Sequence, residues 1–418
     1  MNFKGLSNYK VIIKNTGYLS ALEVFKLIMP FIALPYIIRT VGGEKYGMIV
    51  FVQTVISYFS VFINFGLDIS AVKDVAILRH DKRQLSELVS SVLGIKLLLW
   101  FFSAIVLFFS FFFVEVIREN GLLVLFAFLA CFADVLFPVW YFQGVERMKY
   151  ITLIRFFSIL FYTVSVFIFI HSEVDYIFIP LLQSIGLLLS GLLSVYVLTK
   201  IDKLRLRWPI FSTMKSYFVE SVPFFISRLS VLINSGLAKI VCGLFFSMQA
   251  VAAFDLAQKI ATAALIPLQM LNQSIYPHLS RTKDHRFARK AFMFVAMLAL
   301  IIIGFVYILA PYAVLFFAGN ELNEAIILLR IMCFYIFFAG MSMFMGTPIL
   351  VAFGYSKPFN ISVIFGTLML MLCYCLLYLF NYISIANFAW IMGITELSVF
   401  LFRIYYSLEH KIFFNGTN

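Results

Sequence analysis

Charged residues are scarce in this chain of 418 residues, since Asp, Glu, Lys and Arg together make up only 12% of it. Hydrophobic residues account for 63% and aromatic residues for 18%, and the mean hydropathy is +1.00. A soluble domain is only about half apolar. The shortage of charge therefore excludes the soluble globular classes and predicts an integral membrane protein.

Other absences narrow the class further. The chain has no succession of strands of about ten alternating residues, which excludes an outer-membrane barrel. It has no glycine-rich phosphate loop, so direct use of ATP is not expected. The five histidines lack metal-ligand spacing, and the five cysteines all fall in apolar runs, so neither a metal site nor a disulfide framework is predicted. We expect no cofactor.

Long apolar runs are what the sequence has instead. A helix rising 1.5 Å per residue needs about 20 apolar residues to cross the hydrocarbon core. Pro311 and the polar patch at 319–325 interrupt the run from 291 to 353, so eleven or thirteen spans remain alternatives to twelve. The twelve predicted spans are 17–38, 47–67, 90–114, 121–142, 151–171, 176–199, 221–245, 250–275, 291–317, 325–353, 358–380 and 384–408.

The basic segment KIDKLRLRWPIFSTMKSY (200–217) divides these spans into two sets of six. It predicts an N-terminal six-helix lobe (1–200), a cytoplasmic basic linker (201–217) and a C-terminal six-helix lobe (218–418). The first hairpin of each half ends in a basic segment, at 72–83 and 279–290. The predicted fold class is an all-α membrane protein with two six-helix lobes around a central cavity, and a substrate site would lie at the lobe interface.

The net charge of +12 is distributed unevenly. With the N-terminus in the cytoplasm, the predicted inner segments, counted with Arg155 and Arg403 near the inner ends of their spans, hold 23 Lys and Arg residues and the outer segments hold three. This asymmetry follows the positive-inside rule and predicts that both termini are cytoplasmic. It also accounts for most of the net charge, so no nucleic-acid partner is expected.

A set of loop segments resembles the signatures of bacterial polysaccharide flippases of the O-antigen type, which belong to the multidrug/oligosaccharidyl-lipid/polysaccharide exporter superfamily. The segments, in chain order, are LPYIIRTVGGEKYG (34–47), NFGLDISAVKDVA (64–76), WYFQGVERMKYI (140–151), YPHLSR (276–281) and ILVAFGYSKPFN (349–360).

The resemblance implies twelve helices in two lobes, a central cavity and alternating access. The implied cargo is an oligosaccharide repeat unit linked to undecaprenyl pyrophosphate, moved from the cytoplasmic to the periplasmic leaflet of the bacterial inner membrane for surface polysaccharide assembly. Membrane lipids and other polysaccharide-assembly proteins would be partners.

Three cations inside the spans are the candidate binding residues. Burying a cation at the bilayer centre costs about 2.5–3.5 kcal/mol on insertion scales, so each should face protein, water or an acid. Arg228 and Lys239 are eleven residues apart and share one helix face. With Lys26 from the other lobe, they would form a cationic cavity for pyrophosphate or acidic sugars. The alternatives are snorkelling of either residue to the membrane surface and a local ion pair of Lys26 with Glu23.

Four further cations, Arg39, Lys96, Lys259 and Arg330, are predicted as secondary substrate contacts. Anchoring at the membrane surface competes with this role for Arg39, Lys96 and Arg330. A local i, i+4 pair with Asp255 competes with it for Lys259. The candidates for proton or sodium coupling are the acids Glu23, Asp134 and Asp255, because ionisable groups in spans often mark ion pathways. A structural role is the alternative for each.

Two other functions compete with the flippase prediction. A multidrug exporter of the same superfamily would favour acids over cations in its cavity if its substrates are organic cations. A membrane-embedded polysaccharide polymerase or glycosyltransferase usually has a long loop with clustered acids, His or Arg, whereas every predicted outer connection here is short. We therefore expect a transporter and not an enzyme.

Overall fold

A computed structural model describes the backbone of residues 3–412 and the side chains of Tyr18, Leu22, Phe25 and residues 28–412. Over this part of the chain the secondary structure is helical, with no strand. Short 3₁₀ or π turns occur at Glu173–Ile177, Val197–Ile201 and Met345–Val351. The α-helices are α1 (Phe3–Asn64), α2 (Leu67–Leu78), α3 (Lys82–Phe113), α4 (Glu115–Glu119), α5 (Gly121–Leu136), α6 (Val139–Gly144), α7 (Met148–Phe169), α8 (Phe178–Tyr196), α9 (Phe211–Phe245), α10 (Met248–Ala264), α11 (Ile266–Thr282), α12 (His285–Ala318), α13 (Glu324–Phe344), α14 (Ser356–Leu379) and α15 (Ile385–Glu409).

The first element consists of two helices that meet at Gly42. This residue has φ 79° and ψ 162°, a backbone conformation that glycine adopts with little strain. Eleven helical stretches between residues 3 and 412 are long and apolar enough to cross a membrane, and the first of them, Ile28–Leu78, runs through the break. Counting the helices on either side of Gly42 separately gives twelve, the number predicted.

The same order of elements occurs in both halves of the chain. Gly66 separates α1 from α2, and Leu265 separates α10 from α11. The next helix then begins with an aspartate cap in each half: Asp81 accepts hydrogen bonds from two main-chain N–H groups of α3, and Asp284 does the same for α12. Such side chains satisfy N–H groups that have no partner within the helix.

Packing divides the chain into two compact units, one ending at Leu232 and the other beginning at Ile233. The division falls inside α9. The lobe boundaries predicted at 200 and 218 are a division by span order, and they stay a prediction.

In the first unit, two of the loop signatures pack on each other. The short helix α6 is buried, with Trp140 and Phe142 inaccessible to solvent. A Cβ atom on Gly144 would lie 2.5 Å from Cγ1 of Val75, so the absence of a side chain at Gly144 allows α6 to approach α2. The segments 64–76 and 140–151 are therefore parts of one packed core that holds α2 in place.

Candidate functional site

Arg228 on α9 forms an ion pair with an acid from another helix of the first unit. Its Nη2 donates to Oδ2 of Asp68 at 2.8 Å, and the Arg228 side chain is 53% exposed. Asp68 lies in the first turn of α2, just after Gly66, which has φ 70°. A Cβ atom on Gly66 would lie 2.6 Å from Cβ of Phe224. Glycine therefore permits α9 to approach the α1–α2 break, which brings Asp68 opposite Arg228.

Lys239 belongs to the second unit and forms part of a group of three charges. Its Nζ lies 2.8 Å from Oδ1 of Asp255, and Nζ of Lys259 lies 2.7 Å from Oδ2 of the same carboxylate. The pair expected between Asp255 and Lys259 at i, i+4 is thus present. The Asp255 side chain is 2% exposed and that of Lys239 is 17% exposed, so α9 and α10 are joined by a largely buried ion pair.

Two buried amide oxygens lie on the same two helices. Nε2 of Gln258 on α10 donates to the main-chain oxygen of Ser235 on α9 at 3.1 Å. Within the part of the chain that the structure describes, Oε1 of Gln258 and Oδ1 of Asn234 have no hydrogen-bond partner. A buried acceptor left unsatisfied costs about 1–3 kcal/mol. Both oxygens could accept hydrogen bonds from a polar ligand or from water.

Asp134 lies beside a helix break in the first unit. Helix α5 ends at Leu136, and Pro138 follows. Oγ of Ser60 donates to the Asp134 carboxylate. Nζ of Lys96, a residue 1% exposed, donates to the main-chain oxygen of Asp134 at 2.9 Å.

The break explains why Lys96 is bound there. In a continuous helix, the carbonyl of Asp134 would accept from the N–H four residues later, but that residue is Pro138, which has no N–H. The ammonium of Lys96 takes the place of the missing donor. A second cation lies at the same break, since the guanidinium carbon of Arg155 is 4.2 Å from the ring centre of Phe137. Lys96 therefore stabilises a helix end inside the membrane.

Arg403 is a buried cation of the second unit, whereas the sequence-based count of Lys and Arg included it among the inner-segment cations. It is 7% exposed. Its Nη1 donates to the main-chain oxygen of Ser342 at 2.6 Å and to Oγ of Ser342 at 3.0 Å, and its Nε donates to Oγ of Ser362 at 2.8 Å. It thus joins α15 to α13 and α14, next to the π turn Met345–Val351. The charge count could not find this role because Ser342 and Ser362 are far away in sequence.

The other predicted site residues are either exposed or outside the described side chains. Arg39 is exposed. Arg330 is also exposed, and its guanidinium carbon lies 4.9 Å from the ring centre of Tyr307 on the neighbouring helix α12. The side chains of Lys26 and Glu23 lie outside the described residues, so the predicted meeting of Lys26 with Arg228 and Lys239 stays a prediction.

Two cavities within single units are lined by other residues. One in the first unit, of about 400 Å³, is bordered by the basic side chains of Arg79, Lys82 and Arg147. One in the second unit, of about 500 Å³, is bordered mainly by apolar side chains, including those of Phe245 and Tyr378. Neither cavity is lined by a predicted site residue.

Comparison with known proteins identifies a family whose members are similar to this chain. A family model described as polysaccharide biosynthesis protein matches residues 12–283. A protein of Escherichia coli (strain K12), named provisionally as an O-antigen transporter, is 25% identical over 383 residues, which cover 89% of this chain and 92% of that protein. A Shigella dysenteriae protein with the same name is also 25% identical, over 74% of this chain and 78% of its own length.

Among solved structures, a multidrug resistance MATE family transporter of the MOP superfamily, in its inward-facing conformation, superimposes with a TM-score of 0.70 at 16% identity. The match covers 92% of this chain and 99% of that chain. Such low identity supports a common fold alone.

Proposed function

The chain belongs to the polysaccharide biosynthesis protein family, and from that premise we propose that it carries lipid-linked oligosaccharides across the bacterial cytoplasmic membrane. The predicted resemblance to polysaccharide flippases of the exporter superfamily is confirmed by the family match, the named relatives and the fold. The relatives are transporters, in agreement with the prediction that the chain is not an enzyme. It is a multi-pass bacterial membrane protein.

The finer proposal concerns the cargo and its path. The cargo is an oligosaccharide repeat unit on undecaprenyl pyrophosphate, moved by alternating access from the cytoplasmic to the periplasmic leaflet. Both termini lie in the cytoplasm, as the asymmetry of Lys and Arg predicts. The lipid tail needs no site in the protein because it can remain in the bilayer. Membrane lipids and other polysaccharide-assembly proteins are the expected partners.

The observation that supports this proposal best is the state of the two cations on α9. Arg228 and Lys239 each bind a carboxylate of a neighbouring helix, at 2.8 Å in both cases. A pyrophosphate must be removed from water to cross the membrane, so it needs donors that replace its hydration. A phosphate oxygen can replace a carboxylate oxygen as the acceptor, and a guanidinium can offer it two parallel hydrogen bonds.

The glycan would need polar partners as well. Oδ1 of Asn234 and Oε1 of Gln258 are buried acceptors without a partner among the described residues. Sugar hydroxyls are donors that match such oxygens. We therefore assign the sugar contacts to the α9–α10 face and the phosphate contacts to Arg228 and Lys239, with Lys26 as the predicted third cation.

A gradient-coupled mechanism would need a carboxylate that exchanges its partner. Asp255 accepts from two ammonium groups, whereas the Asp134 carboxylate accepts from the hydroxyl of Ser60. Asp134 is therefore a stronger candidate for exchange of a proton or sodium ion than Asp255. Flipping in proteoliposomes should lose its dependence on the ion gradient in Asp134→Asn. A variant as gradient-dependent as the parent protein would remove Asp134 from the mechanism.

The cargo proposal is tested in a strain that lacks the gene and is complemented with single variants. Arg228→Ala and Lys239→Ala should leave single lipid-linked repeat units on the inner leaflet and reduce surface polysaccharide at normal protein levels. Arg118→Ala is the matched control, since Arg118 is an exposed cation that pairs with a carboxylate, that of Glu115, and it is not a predicted site residue. Full surface polysaccharide in both variants would overturn the site. A strain that still delivers one unit to the surface would indicate a polymerase instead.

A further inference from the structure

The connection between α8 and α9 is an ordered segment docked on α3. Residues 203–210, with the sequence KLRLRWPI, form neither helix nor strand, and we call them the strap. The main-chain N–H of Arg205 donates to Oγ of Ser86 at 3.3 Å, and that of Arg207 donates to Oγ of Ser90 at 2.9 Å. The strap therefore has a fixed position on the first unit.

The spacing of these contacts follows from the two backbone geometries. Two residues of extended chain advance about 6.7 Å, and four residues of helix advance about 6.0 Å. Every second strap residue can thus meet every fourth residue of α3. The third position of this series pairs Pro209 with Gly94, where a Cβ atom would lie 2.9 Å from Cγ of the proline. Ser86, Ser90 and Gly94 together form a groove that fits the strap.

Docking leaves most strap side chains in contact with solvent. Leu204 is buried, but Leu206 and Ile210 are about half exposed, and Trp208 is 95% exposed. Phe211, the first residue of α9, is 79% exposed. Several exposed apolar side chains grouped on one ordered segment are typical of a surface that another molecule covers.

The chain around the strap limits what that molecule can be. Two candidate membrane spans, Glu173–Ile201 and Phe211–Phe245, end and begin directly beside it. The strap must therefore run along one face of the membrane. Its charged residues are Lys203, Arg205 and Arg207, with no acid among them. Arg207 also pairs with Glu87 of α3 at 3.2 Å. Exposed aromatic residues beside Lys and Arg are typical of protein surfaces that lie at the headgroup level of a bilayer containing anionic lipids.

We propose that the strap is a lipid-binding surface: Trp208 and Phe211 insert between headgroups of the inner leaflet, and the strap cations bind anionic phospholipid. The groove on α3 holds the backbone so that the aromatic rings face the bilayer. This fixes the height in the membrane at which α9, with Arg228, begins. The inference concerns the resident lipids and does not depend on the cargo.

The depth of Trp208 can be measured on the full-length protein in vesicles without cargo. The chain has four tryptophans, so the fluorescence difference between the parent protein and Trp208→Phe isolates this residue. We expect blue-shifted emission that is quenched by lipids brominated near the headgroup and protected from aqueous iodide. The control is Trp390→Phe, since the partly exposed Trp390 lies within a membrane-length helix. Its fluorescence should be quenched by lipids brominated further down the acyl chain.

The charge preference needs a second arm. Brominated phosphatidylglycerol should quench Trp208 more than brominated phosphatidylcholine at equal mole fraction. Lys203→Gln with Arg205→Gln should reduce that preference, by about fivefold at most for each cation removed, while docking persists because it uses the main-chain N–H groups of Arg205 and Arg207 and the Arg207–Glu87 ion pair. Trp208 emission that is red-shifted and quenched by iodide would overturn the proposal and assign the surface to a protein partner. Equal quenching by the two lipids would overturn the anionic preference.

Discussion

In each half of the chain, the fourth membrane-length stretch contains a proline. In each half, a buried cation near that stretch donates a hydrogen bond to a main-chain carbonyl. In the first half, Pro138 follows the end of α5, and Lys96 binds the carbonyl of Asp134. In the second half, Pro348 lies in the π turn after α13, and Arg403 binds the carbonyl of Ser342. The Asp134 carbonyl requires such a donor, because no water is available to satisfy it in hydrocarbon. The Ser342 carbonyl also accepts from the main-chain N–H of Met345, so the bond from Arg403 is an additional one.

Lys96 and Arg403 differ in the number of groups that each side chain binds. Nζ of Lys96 binds one carbonyl, whereas the guanidinium of Arg403 also binds the hydroxyls of Ser342 and Ser362. The ammonium stabilises one helix end, and the guanidinium ties three helices. A cation inside a span is thus not evidence for a cargo site by itself. The acceptor decides: Lys96 and Arg403 bind main-chain oxygens, and Arg228 and Lys239 bind carboxylates that cargo could replace.

The largest expected effect concerns the carboxylates of the two halves. Asp255→Asn would leave the buried end of Lys239 facing a neutral amide, and breaking a buried ion pair on one side costs about 3–5 kcal/mol. Asp134→Asn should cost less, since an amide oxygen can still accept from Ser60 and Lys96 keeps its main-chain acceptor, although the buried Lys96 loses the attraction of the Asp134 charge. Midpoint temperatures of thermal unfolding in detergent would measure both.

The double variant Asp255→Asn with Lys239→Gln should recover part of the loss, because it removes the unpaired charge. Equal loss of stability in Asp134→Asn and Asp255→Asn would contradict the distinction between the two acids.

Arg403→Met is expected to be next in size. It removes three charge-assisted hydrogen bonds and leaves the Ser342 carbonyl without this donor, so a loss on the order of 3 kcal/mol is expected. Arg403→Lys should retain part of the stability, since an ammonium can reach one acceptor but not fork between two helices. The same thermal measurement applies. If Arg403→Lys were as stable as the parent protein, the tie between α13 and α14 would not depend on the guanidinium.

The sequence predicted the helices well because the length rule for crossing a bilayer depends only on local apolar content. It also placed a pair between Asp255 and Lys259, four residues apart on one helix. It did not find Asp68 opposite Arg228, because the two lie on different helices and meet only through tertiary packing. Arg403 was counted as an inner-segment cation for a related reason: its serine partners lie on α13 and α14, so its burial does not show in hydropathy.

Lys96→Met should have a smaller effect than the change at Arg403. One hydrogen bond is lost, but an ammonium no longer has to be buried, so a net cost of about 1 kcal/mol is expected. The helix break predicts that the effects of substitutions at Lys96 and Pro138 on the unfolding free energy are coupled. In Pro138→Ala, residue 138 regains an N–H that can serve the Asp134 carbonyl, so Lys96→Met should cost less in that background. A double-mutant cycle of unfolding free energies with no coupling would show that Lys96 does not replace the donor missing at Pro138.

The aspartate caps are a feature that the two halves share, and their removal should give the smallest effects on stability. The main-chain N–H groups of Phe287 and Arg286 hold the pKa of Asp284 below its usual value. A carboxylate with a lowered pKa in the folded state contributes stability above its unfolded pKa and loses it as the pH falls through the folded pKa. Asp284→Ala should therefore lower the unfolding midpoint slightly at neutral pH, and the difference from the parent protein should shrink in acid. Asp284→Asn, which keeps a capping oxygen, is the control and should lose less. A difference that grows on acidification would rule out the charged cap.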